Sequence, residues 1–237
     1  MKLALFLQAR LTSKRFPKKI FSVINNKTLI EILIKKLKKV KNVSKIIIVI
    51  PNSRKNNELA LNLRKLKVTV FRGKENNVLD RFYKAALKFK VKNIIRITAD
   101  CPLIDTKLID QIVKKYFNGK YDYATNTFPP SYPDGLDVEI FNFASLKKAW
   151  LNSNSQHQKE HVTPFIRNKN KFKIINILNN TNQKKIRLTI DWKEDLILIE
   201  KIFNFFKPKI NFYLKDINKI IKKHPEWFKI NSKYRVR

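Results

Sequence analysis

The stretch that decides the fold is LALFLQAR at residues 3–10, followed by the loop LTSKRFPKK at residues 11–19. Its apolar run, Leu3–Leu7, is short and bounded by polar residues, which is typical of a buried strand in a mainly parallel sheet. Five cations follow, namely Arg10, Lys14, Arg15, Lys18 and Lys19. Ligands of open α/β sheets bind beyond the carboxyl ends of the strands, and Arg and Lys bind phosphate oxygens. The pattern therefore indicates a polyphosphate site, although a solvated basic loop would carry the same charge.

Strands and helices alternate four times after this start. The predicted strands are Leu3–Leu7, Lys45–Ile50, Val68–Phe71 and Asn93–Thr98. The predicted helices are Leu29–Val40, Asn57–Leu66, Asn77–Phe89 and Lys107–Tyr116. Such repeated βαβ units predict an α/β fold, with a mainly parallel sheet and helices on both faces.

The regular alternation of strands and helices stops after residue 120, where a Pro- and Gly-containing loop separates short strand candidates. The predicted strands here are Tyr121–Thr125, Val138–Phe141, Ile174–Leu178 and Ile186–Ile190. The predicted helices are Ala144–Leu151, Lys193–Phe206 and Tyr213–Lys223. We predict one domain over residues 1–237, with a small β-rich insertion at about 121–180 and a C-terminal helical tail at about 207–237. We predict that the part of the chain beyond Pro225 is a surface appendage.

The composition is strongly basic, with 52 Lys and Arg against 18 Asp and Glu and a net charge of +34. Taken alone, this charge suggests a nucleic-acid or anionic-membrane partner. Lysines greatly outnumber arginines and are spread along the chain, while glycines number only 3, a pattern typical of compositional drift. We therefore expect no nucleic-acid partner, and the scarce arginines become the more informative cations.

The single cysteine, Cys101, excludes an intramolecular disulfide and suits a reducing compartment. No stretch approaches the length of about 18 apolar residues that a membrane span needs. We expect a cytoplasmic protein with no membrane partner.

Acidic and basic residues follow the predicted strands. Asp100 follows the fourth strand, and Asp191 follows the predicted strand Ile186–Ile190. Two carboxylates opposite a cationic phosphate loop suggest Mg²⁺, which prefers oxygen ligands. Asp100 could instead cap the following turn, and Asp191 could be the N-cap of the next helix.

Several other site classes are excluded by spacing. Cys101, His157, His161 and His224 lack zinc-ligand spacing. The chain has no Gly-rich nucleophile elbow, no dinucleotide-binding glycine motif and no P-loop. Any phosphate site must therefore work with side-chain cations.

Six stretches resemble, in order, the motifs of one enzyme family. The first is QARLTSKRFPKK at residues 8–19, which resembles Q-A-R-x-x-S-x-R-L-P-G-K. The others are FRG and VLDRFY within residues 71–83, RITADCPLID at 96–105, YPDGLDVEIF at 132–141, EHVTP at 160–164 and DWKEDL at 191–196. Together they are similar to bacterial cytidylyltransferases that activate acidic sugars, most of all the SpsF-type spore-coat polysaccharide proteins, relatives of the CMP-Kdo and CMP-acylneuraminate synthetases. The resemblance covers roughly residues 3–203.

The resemblance implies a Rossmann-like fold of the nucleotide-diphospho-sugar transferase type. It implies Mg²⁺-dependent transfer of CMP from CTP to an acidic sugar, with release of pyrophosphate, by a homodimer. The implied catalytic residues are Arg10, Lys19 and Asp100. The implied nucleotide-binding residues are Ala9, Arg10, Ser13, Arg15, Lys19 and Arg72, with Arg72 near the base.

The implied metal ligands are Asp100 and Asp191. The implied acceptor-binding residues are Asn126, Asp134, Asp137, Glu139 and His161. Glu139 and His161 could instead support the loops or a dimer interface.

The chain departs from the family pattern at four positions. Lys18 and Asn26 stand where the family has glycine, Thr28 where proline is usual, and Ala99 where glycine is usual. If the loop glycine needs a positive φ, a lysine at position 18 is strained there.

Two other functions are alternatives, one suggested by the architecture and one by the basic composition. A glycosyltransferase of similar architecture would need a D-x-D motif, and the segment Tyr121-Asp122-Tyr123 lacks the second Asp. A basic nucleic-acid-binding protein would show a steep salt dependence of binding.

Overall fold

The computed structural model describes residues 3–234, and its main feature is a seven-stranded sheet with the strand order β5-β4-β1-β6-β8-β7-β9. The strands of this sheet are β1 (Leu3–Gln8), β4 (Lys45–Pro51), β5 (Thr69–Gly73), β6 (Asn93–Thr98), β7 (Tyr123–Thr125), β8 (Glu139–Asn142) and β9 (Ile174–Asn176). β2 (Val23–Ile24) and β3 (Lys27–Thr28) form a separate hairpin. The predicted α/β class is confirmed.

The order of the parallel strands reverses between β1 and β6. From β1 the chain builds β4 and then β5 on one side, and then crosses to form β6 on the other side of β1. β8 runs antiparallel to β6 and β7, and β7 is parallel to β9. At the carboxyl ends of β1 and β6, Gln8 and Thr98 are register partners. Ligands of open α/β sheets bind at such a reversal.

Helices cover both faces of the sheet and bury two apolar clusters. The helices are α1 (Leu29–Leu37), α2 (Asn57–Lys65), α3 (Val78–Lys88), α4 (Thr106–Asn118), α5 (Phe143–Asn152), α6 (Gln156–His161), α7 (Lys193–Phe205) and α8 (Leu214–Lys223). Alternate residues of β1 belong to different clusters. Leu5 is in the cluster that includes residues of α1 and α4, and Phe6 is in the one that includes residues of α3 and α5. This two-sided burial explains the continuous apolar run of β1. Within residues 3–234, no helix is both long and apolar enough to cross a membrane.

Two of the residues that depart from the family pattern, Asn26 and Thr28, have local structural roles at the hairpin β2–β3. Asn25 and Asn26 have φ values of 49° and 62°, the positive values that a two-residue type I′ turn requires and that Asn tolerates. Thr28 is the N-cap of α1 and forms a capping box with Glu31, whose carboxylate accepts from the Thr28 N–H at 2.7 Å. The hairpin was not predicted, because a pair of two-residue strands gives almost no periodic signal.

The predicted strand at Ile186–Ile190 is wrong. This segment forms an isolated bridge between Arg187 and Asp134, with hydrogen bonds from Leu188 N to Asp134 O (2.7 Å) and from Asp134 N to Ile186 O (2.9 Å). Gly135 at the bridge has a φ of 106°, and a Cβ there would lie 2.6 Å from the Leu188 carbonyl carbon. The apolar pattern reflects burial beside the loop rather than membership of the sheet.

The segment after Pro225 is not the predicted surface appendage. Asn231 is buried, and its Nδ2 donates to Arg187 O at 3.1 Å and to Asp195 Oδ1 at 2.8 Å. The Tyr234 ring stacks on Trp192 at a centroid distance of 4.8 Å. The last residues of the predicted tail, 235–237, lie outside the described residues. The tail therefore supports the segment that carries Asp191.

Candidate active site

A cavity of about 720 Å³ opens at the carboxyl ends of β1 and β6, where the strand order reverses. Its basic lining residues are Arg10, Lys14, Arg15, Lys19, Arg81 and Arg96. Its acidic lining residues are Glu75, Asp100, Glu160 and Asp191. The volume falls in the range of small-molecule sites, and six cations against four carboxylates favour an anionic ligand.

Hydrogen bonds close the basic loop after β1. Leu11 N donates to Asn56 Oδ1 at 2.9 Å, Phe16 N donates to Ser13 Oγ at 3.3 Å, and Lys18 N donates to Leu11 O at 3.1 Å. Asn56 is fully buried and anchors the loop from the segment after β4. Asn56 was not predicted to belong to the site, because a single Asn in an Asn-rich chain carries no signal.

Lys18 takes the backbone conformation that a glycine would favour. Its φ of 55° and ψ of 16° lie in the left-handed region. Its ammonium forms an exposed ion pair with Glu58 at 2.7 Å. Left-handed backbone costs a non-glycine residue about 1 kcal/mol or more, so the loop keeps its path at a modest cost in stability.

Lys19 joins the two carboxylates that were predicted to hold a metal. Its Nζ lies 2.9 Å from Asp191 Oδ1 and 3.2 Å from Asp100 Oδ2. The same Nζ also donates to the Ile190 carbonyl oxygen, and the side chain is buried. An ammonium has three N–H donors, so all three have protein partners in this structure.

Asp191 is surrounded by cations. Arg15 Nη2 lies 2.7 Å from Asp191 Oδ2, and Arg187 Nη2 lies 3.0 Å from the same oxygen. Burial alone would raise the pKa of Asp191, but Lys19 and Arg15 outweigh it and lower that pKa below its usual range. Asp191 is therefore ionised at neutral pH.

Asp195, not Asp191, caps the start of α7. Asp195 Oδ2 accepts from the N–H groups of Asp191 at 2.8 Å and Trp192 at 2.9 Å. The Asp195 carboxylate also accepts hydrogen bonds from Arg187, from Nε to Oδ1 at 2.9 Å and from Nη2 to Oδ2 at 3.1 Å. The helix-cap alternative for Asp191 is thus excluded, and its carboxylate faces the cavity.

Backbone contacts bring Asp100 and Asp191 together without a strand. The Asp100 carbonyl oxygen accepts from Ile190 N at 2.8 Å and from Thr189 Oγ1 at 3.2 Å. These two hydrogen bonds hold the segment before Asp191 against Asp100. The predicted pairing of the two carboxylates is present, but a loop contact produces it.

The two carboxylates at this junction are of the type that holds Mg²⁺, but Lys19, Arg15 and Arg187 pair with them, so an ion would have to displace one of these cations. Two carboxylates beside a cationic loop match the usual arrangement, in which one or two carboxylates and substrate phosphates hold the ion. In the described part of the chain, no group of three or more His, Cys, Asp or Glu side chains could hold a metal. Water and the phosphate oxygens of a nucleotide would complete the coordination of an ion held by two carboxylates.

Glu139 lies behind the cavity wall, and its carboxylate accepts hydrogen bonds from four side chains. The donors are Arg96, Arg167 at 3.1 Å, Tyr123 Oη at 2.5 Å and Thr163 Oγ1 at 2.5 Å. Burial raises the pKa of Glu139, but the two guanidinium groups outweigh it and lower the value to about 2. Glu139 is thus a buried support rather than a cavity-lining group.

Three other predicted acceptor residues also lie off the cavity wall. Asn126 is buried and bridges Leu136 O (2.8 Å) and Val138 N (2.9 Å). Asp134 pairs with Arg187 at 3.2 Å. Asp137 is partly buried. The pKa of the Cys101 thiol is raised by burial of the thiol, then by the charge of Asp100 and then by the charge of Asp137. Among the predicted acceptor residues, the structure brings His161 to the cavity.

A strained turn fixes His161 at the wall. Val162 has φ 68° and ψ −53°, and Thr163 N donates to His161 O at 2.8 Å, which is the geometry of a γ-turn. This conformation is rare and unfavourable for a β-branched residue, and such strain concentrates at functional sites. The turn directs His161 to the cavity and Thr163 to Glu139.

Of the predicted nucleotide-binding residues, the structure brings Ala9, Arg10, Ser13, Arg15 and Lys19 to the cavity, but not Arg72. Arg72 Nη2 donates to Ser53 O at 3.0 Å and to Asn57 Oδ1 at 2.7 Å. Arg81, for which no role was predicted, lines the cavity instead. It donates to the carbonyl oxygens of Lys74 (3.1 Å) and Glu75 (3.0 Å). Burial lowers the pKa of Arg81 to about 10, which still leaves it charged at neutral pH.

A family model described as cytidylyltransferase matches residues 4–223 of the chain. An uncharacterized protein of Methanocaldococcus jannaschii is 36% identical over 238 residues, which cover 99% of this chain and 96% of that protein. The spore coat polysaccharide biosynthesis protein SpsF of Bacillus subtilis is 27% identical over 228 residues, which cover 93% of this chain and 94% of that protein.

Solved structures agree with the sequence relatives. A cytidylyltransferase from Leptospira borgpetersenii has a TM-score of 0.92 and 30% identity, and the match covers 100% of this chain and 99% of that one. A CMP:2-keto-3-deoxy-manno-octonic acid synthetase complexed with CTP has a TM-score of 0.66 and 12% identity, covering 87% of this chain and 100% of that one. At that identity the second likeness establishes a shared fold.

Proposed function

Because this chain belongs to the cytidylyltransferase family, of the SpsF type, and is a CTP-dependent nucleotidyltransferase, we propose that it transfers CMP from CTP to an acidic sugar. The acceptor is a sugar acid of the 2-keto-3-deoxy or nonulosonic type, used in surface polysaccharide biosynthesis, and pyrophosphate is released. The observation that carries the proposal is the junction of Lys19 with Asp100 and Asp191 beneath a loop of cations. The excess of basic side chains in the cavity supports two anionic substrates.

In this reaction an acceptor oxygen attacks the α-phosphorus of CTP while the bond to pyrophosphate breaks. Negative charge grows on the leaving group, and fixed cations stabilise it. Arg10 and Arg15 supply that charge, since their side chains are 53% and 47% exposed and reach the cavity. Ser13 Oγ accepts from Phe16 N, which leaves its O–H proton to donate to a phosphate oxygen.

Asp100 and Asp191 would hold Mg²⁺ together with the substrate phosphates. The ion, when bound, supplies positive charge to the phosphate oxygens and lowers the pKa of the attacking acceptor oxygen. Lys19 forms ion pairs with both carboxylates and holds them adjacent. Because its three donors are engaged, Lys19 must release one partner before it donates to a phosphate oxygen.

Three further roles in this proposal come from the family resemblance. Ala9, at the end of β1, offers a small side chain where the nucleotide approaches the backbone. His161 contacts the acceptor. Arg72 reads cytosine, which requires it to leave Ser53 and Asn57. The homodimer, the cytoplasmic location, the single domain over residues 1–237 and the acceptor-binding or dimerisation role of residues 121–180 stay predictions.

The test is a pyrophosphate-release assay. Purified protein is given CTP, Mg²⁺ and a panel of 2-keto-3-deoxy and nonulosonic sugar acids, with ATP, GTP and UTP as alternative nucleotides. We expect release with CTP and at least one sugar acid, and loss of release in Asp100→Asn. Asp110→Asn, on α4 and outside the cavity lining, is the matched control. Turnover with neutral sugars but not with acids would contradict the acceptor proposal, and full activity of Asp100→Asn would contradict the metal site.

A further inference from the structure

Arg96 forms a part of the cavity wall that the proposed chemistry leaves unexplained. It lies on β6, where its register partners are Phe6 of β1 and Glu139 of β8. Its side chain is 12% exposed and lines the cavity together with Glu160 and His161. The guanidinium is thus close to fully buried, and the part left open faces the cavity.

The hydrogen bonds of Arg96 leave donors for a ligand. Gln8 Oε1 accepts from Nε at 3.3 Å and from Nη2 at 3.0 Å, and Glu139 accepts from Nη1. A guanidinium has five N–H donors, so the contacts among residues 3–234 leave one N–H on each terminal nitrogen. Two N–H groups on neighbouring nitrogens form the fork that binds a carboxylate through both oxygens.

The charges around Arg96 favour an anion. Within residues 3–234, Glu139 is the one carboxylate paired with either Arg96 or Arg167, so two cations share a single negative charge. The other donors to Glu139, Tyr123 and Thr163, are neutral hydroxyl groups. The cluster therefore carries a net positive charge, and Arg96 is the member that lines the cavity. Burial strengthens its attraction for an incoming carboxylate.

The cluster is also held rigidly. Gln8 occupies one edge of the Arg96 guanidinium, and Glu139 accepts from its Nη1. The γ-turn at Val162 places Thr163 on Glu139 and His161 at the cavity wall. A cation that is fixed before its ligand arrives loses little conformational entropy on binding.

We propose that Arg96 binds the carboxylate of the acceptor and is the residue that restricts this enzyme to acidic acceptors. The inference rests on the proposed function and assigns its acceptor specificity to one side chain. Arg167 shares Glu139 but lies outside the cavity lining, with its guanidinium over the Phe128 ring at 5.5 Å. Arg167 is therefore the matched control.

The test compares a sugar acid with its carboxamide as acceptors for the wild type, Arg96→Gln and Arg167→Gln. In Arg96→Gln we expect kcat/KM for the acid to fall on the order of 100-fold, the size of a lost charge-assisted pair. KM for CTP should stay within about twofold, and the preference for the acid over the amide should disappear. Arg167→Gln keeps the fork of Arg96 but removes the second cation on Glu139, so we expect it to lose less of that preference than Arg96→Gln does. Should Arg96→Gln fail to fold, Arg96→Lys keeps the charge without the fork, and we expect it to lose part of the preference.

A second measurement needs no turnover. Calorimetry with the sugar acid, in the presence of a non-hydrolysable CTP analogue, should show binding to the wild type, weaker binding to Arg167→Gln and none to Arg96→Gln. The wild-type data alone decide the proposed function, because equal use of acid and amide would contradict an acidic acceptor. The inference is overturned when the wild type prefers the acid and Arg96→Gln prefers it equally.

Discussion

Lys19 Nζ lies 2.9 Å from Asp191 Oδ1, although the two residues are 172 positions apart in the chain. The same ammonium contacts Asp100 on the other side. The basic loop after β1 is therefore attached to both carboxylates of the proposed metal site. Its cation holds the site together before any phosphate arrives.

The first prediction concerns this junction. Lys19→Met removes the cation between two neighbouring carboxylates, which then repel each other, and it also removes a charge facing the triphosphate. We expect kcat to fall on the order of 100-fold or more. A lower Mg²⁺ concentration should be required for half-maximal activity, because the ion no longer competes with the Lys19 ammonium for Asp100 and Asp191. The measurement is pyrophosphate release against Mg²⁺ concentration. Lys55→Met, on the exposed segment before α2, is the control, and an unchanged Mg²⁺ requirement in Lys19→Met would contradict the role of Lys19.

The second prediction concerns Lys36, which is buried and whose Nζ has no hydrogen-bond partner among the described residues. Burial lowers its pKa to about 7. The unfolded chain therefore binds a proton that the folded chain lacks between about pH 7 and the usual lysine pKa of about 10.4. The free energy of unfolding should rise with pH across that window.

Lys36→Met should remove this dependence and, at neutral pH, raise the free energy of unfolding by about 1–3 kcal/mol, because no buried ammonium remains. Urea unfolding at several pH values measures both effects. The exposed neighbour Lys35 gives the control Lys35→Met, which should leave the slope unchanged. Equal pH slopes for the wild type and Lys36→Met would contradict the assignment.

The third prediction isolates the strain at Lys18. Lys18→Gly relieves the left-handed backbone, whereas Lys18→Ala keeps it, and both variants lose the same exposed ion pair with Glu58. Lys18→Gly should be more stable than Lys18→Ala by about 1 kcal/mol, and both should keep turnover. Thermal unfolding measured side by side decides this. A more stable Ala variant would mean that the loop does not require positive φ.

The fourth prediction concerns the tail. Asn231→Ala removes the donor to Arg187 O and Asp195 Oδ1, and so loosens the contacts that position Asp191. We expect a loss of about 1–2 kcal/mol in the free energy of unfolding, together with a several-fold higher KM for CTP. Ser232→Ala, one residue along and exposed, should change neither. A stability loss with an unchanged KM would limit Asn231 to a structural role.

Much of the fold could be predicted from local patterns. The apolar run of β1, the alternation up to α4 and the positions of Arg10, Ser13, Arg15 and Lys19 after a strand end were all readable from the sequence. These features depend on neighbouring residues and on a rule about where ligands bind in parallel sheets. Ile186–Ile190 shows the limit, because an apolar run predicts burial but not hydrogen bonding to a sheet.

The candidate site was harder to predict where it depends on distant partners. Arg81 and Arg96 were both within matched motifs, and their scarcity in a lysine-rich chain was the available signal. Their side chains became identifiable as wall residues only when β5, β6 and α3 were in place. Glu139 shows the reverse, since its motif suggested acceptor contact and its four donors place it behind the wall.

The sequence by itself determined the α/β class, the basic loop at the end of β1 and the family, since these depend on periodicity and motif order. Only the tertiary structure decided that Lys19 bridges Asp100 and Asp191, that Asn231 supports the second of them, and that Arg96 rather than Glu139 faces the cavity. The physical reason is that a buried charged group forms its ion pairs and hydrogen bonds with whichever groups the packing places within hydrogen-bond distance. That distance depends on how segments far apart in the chain come together.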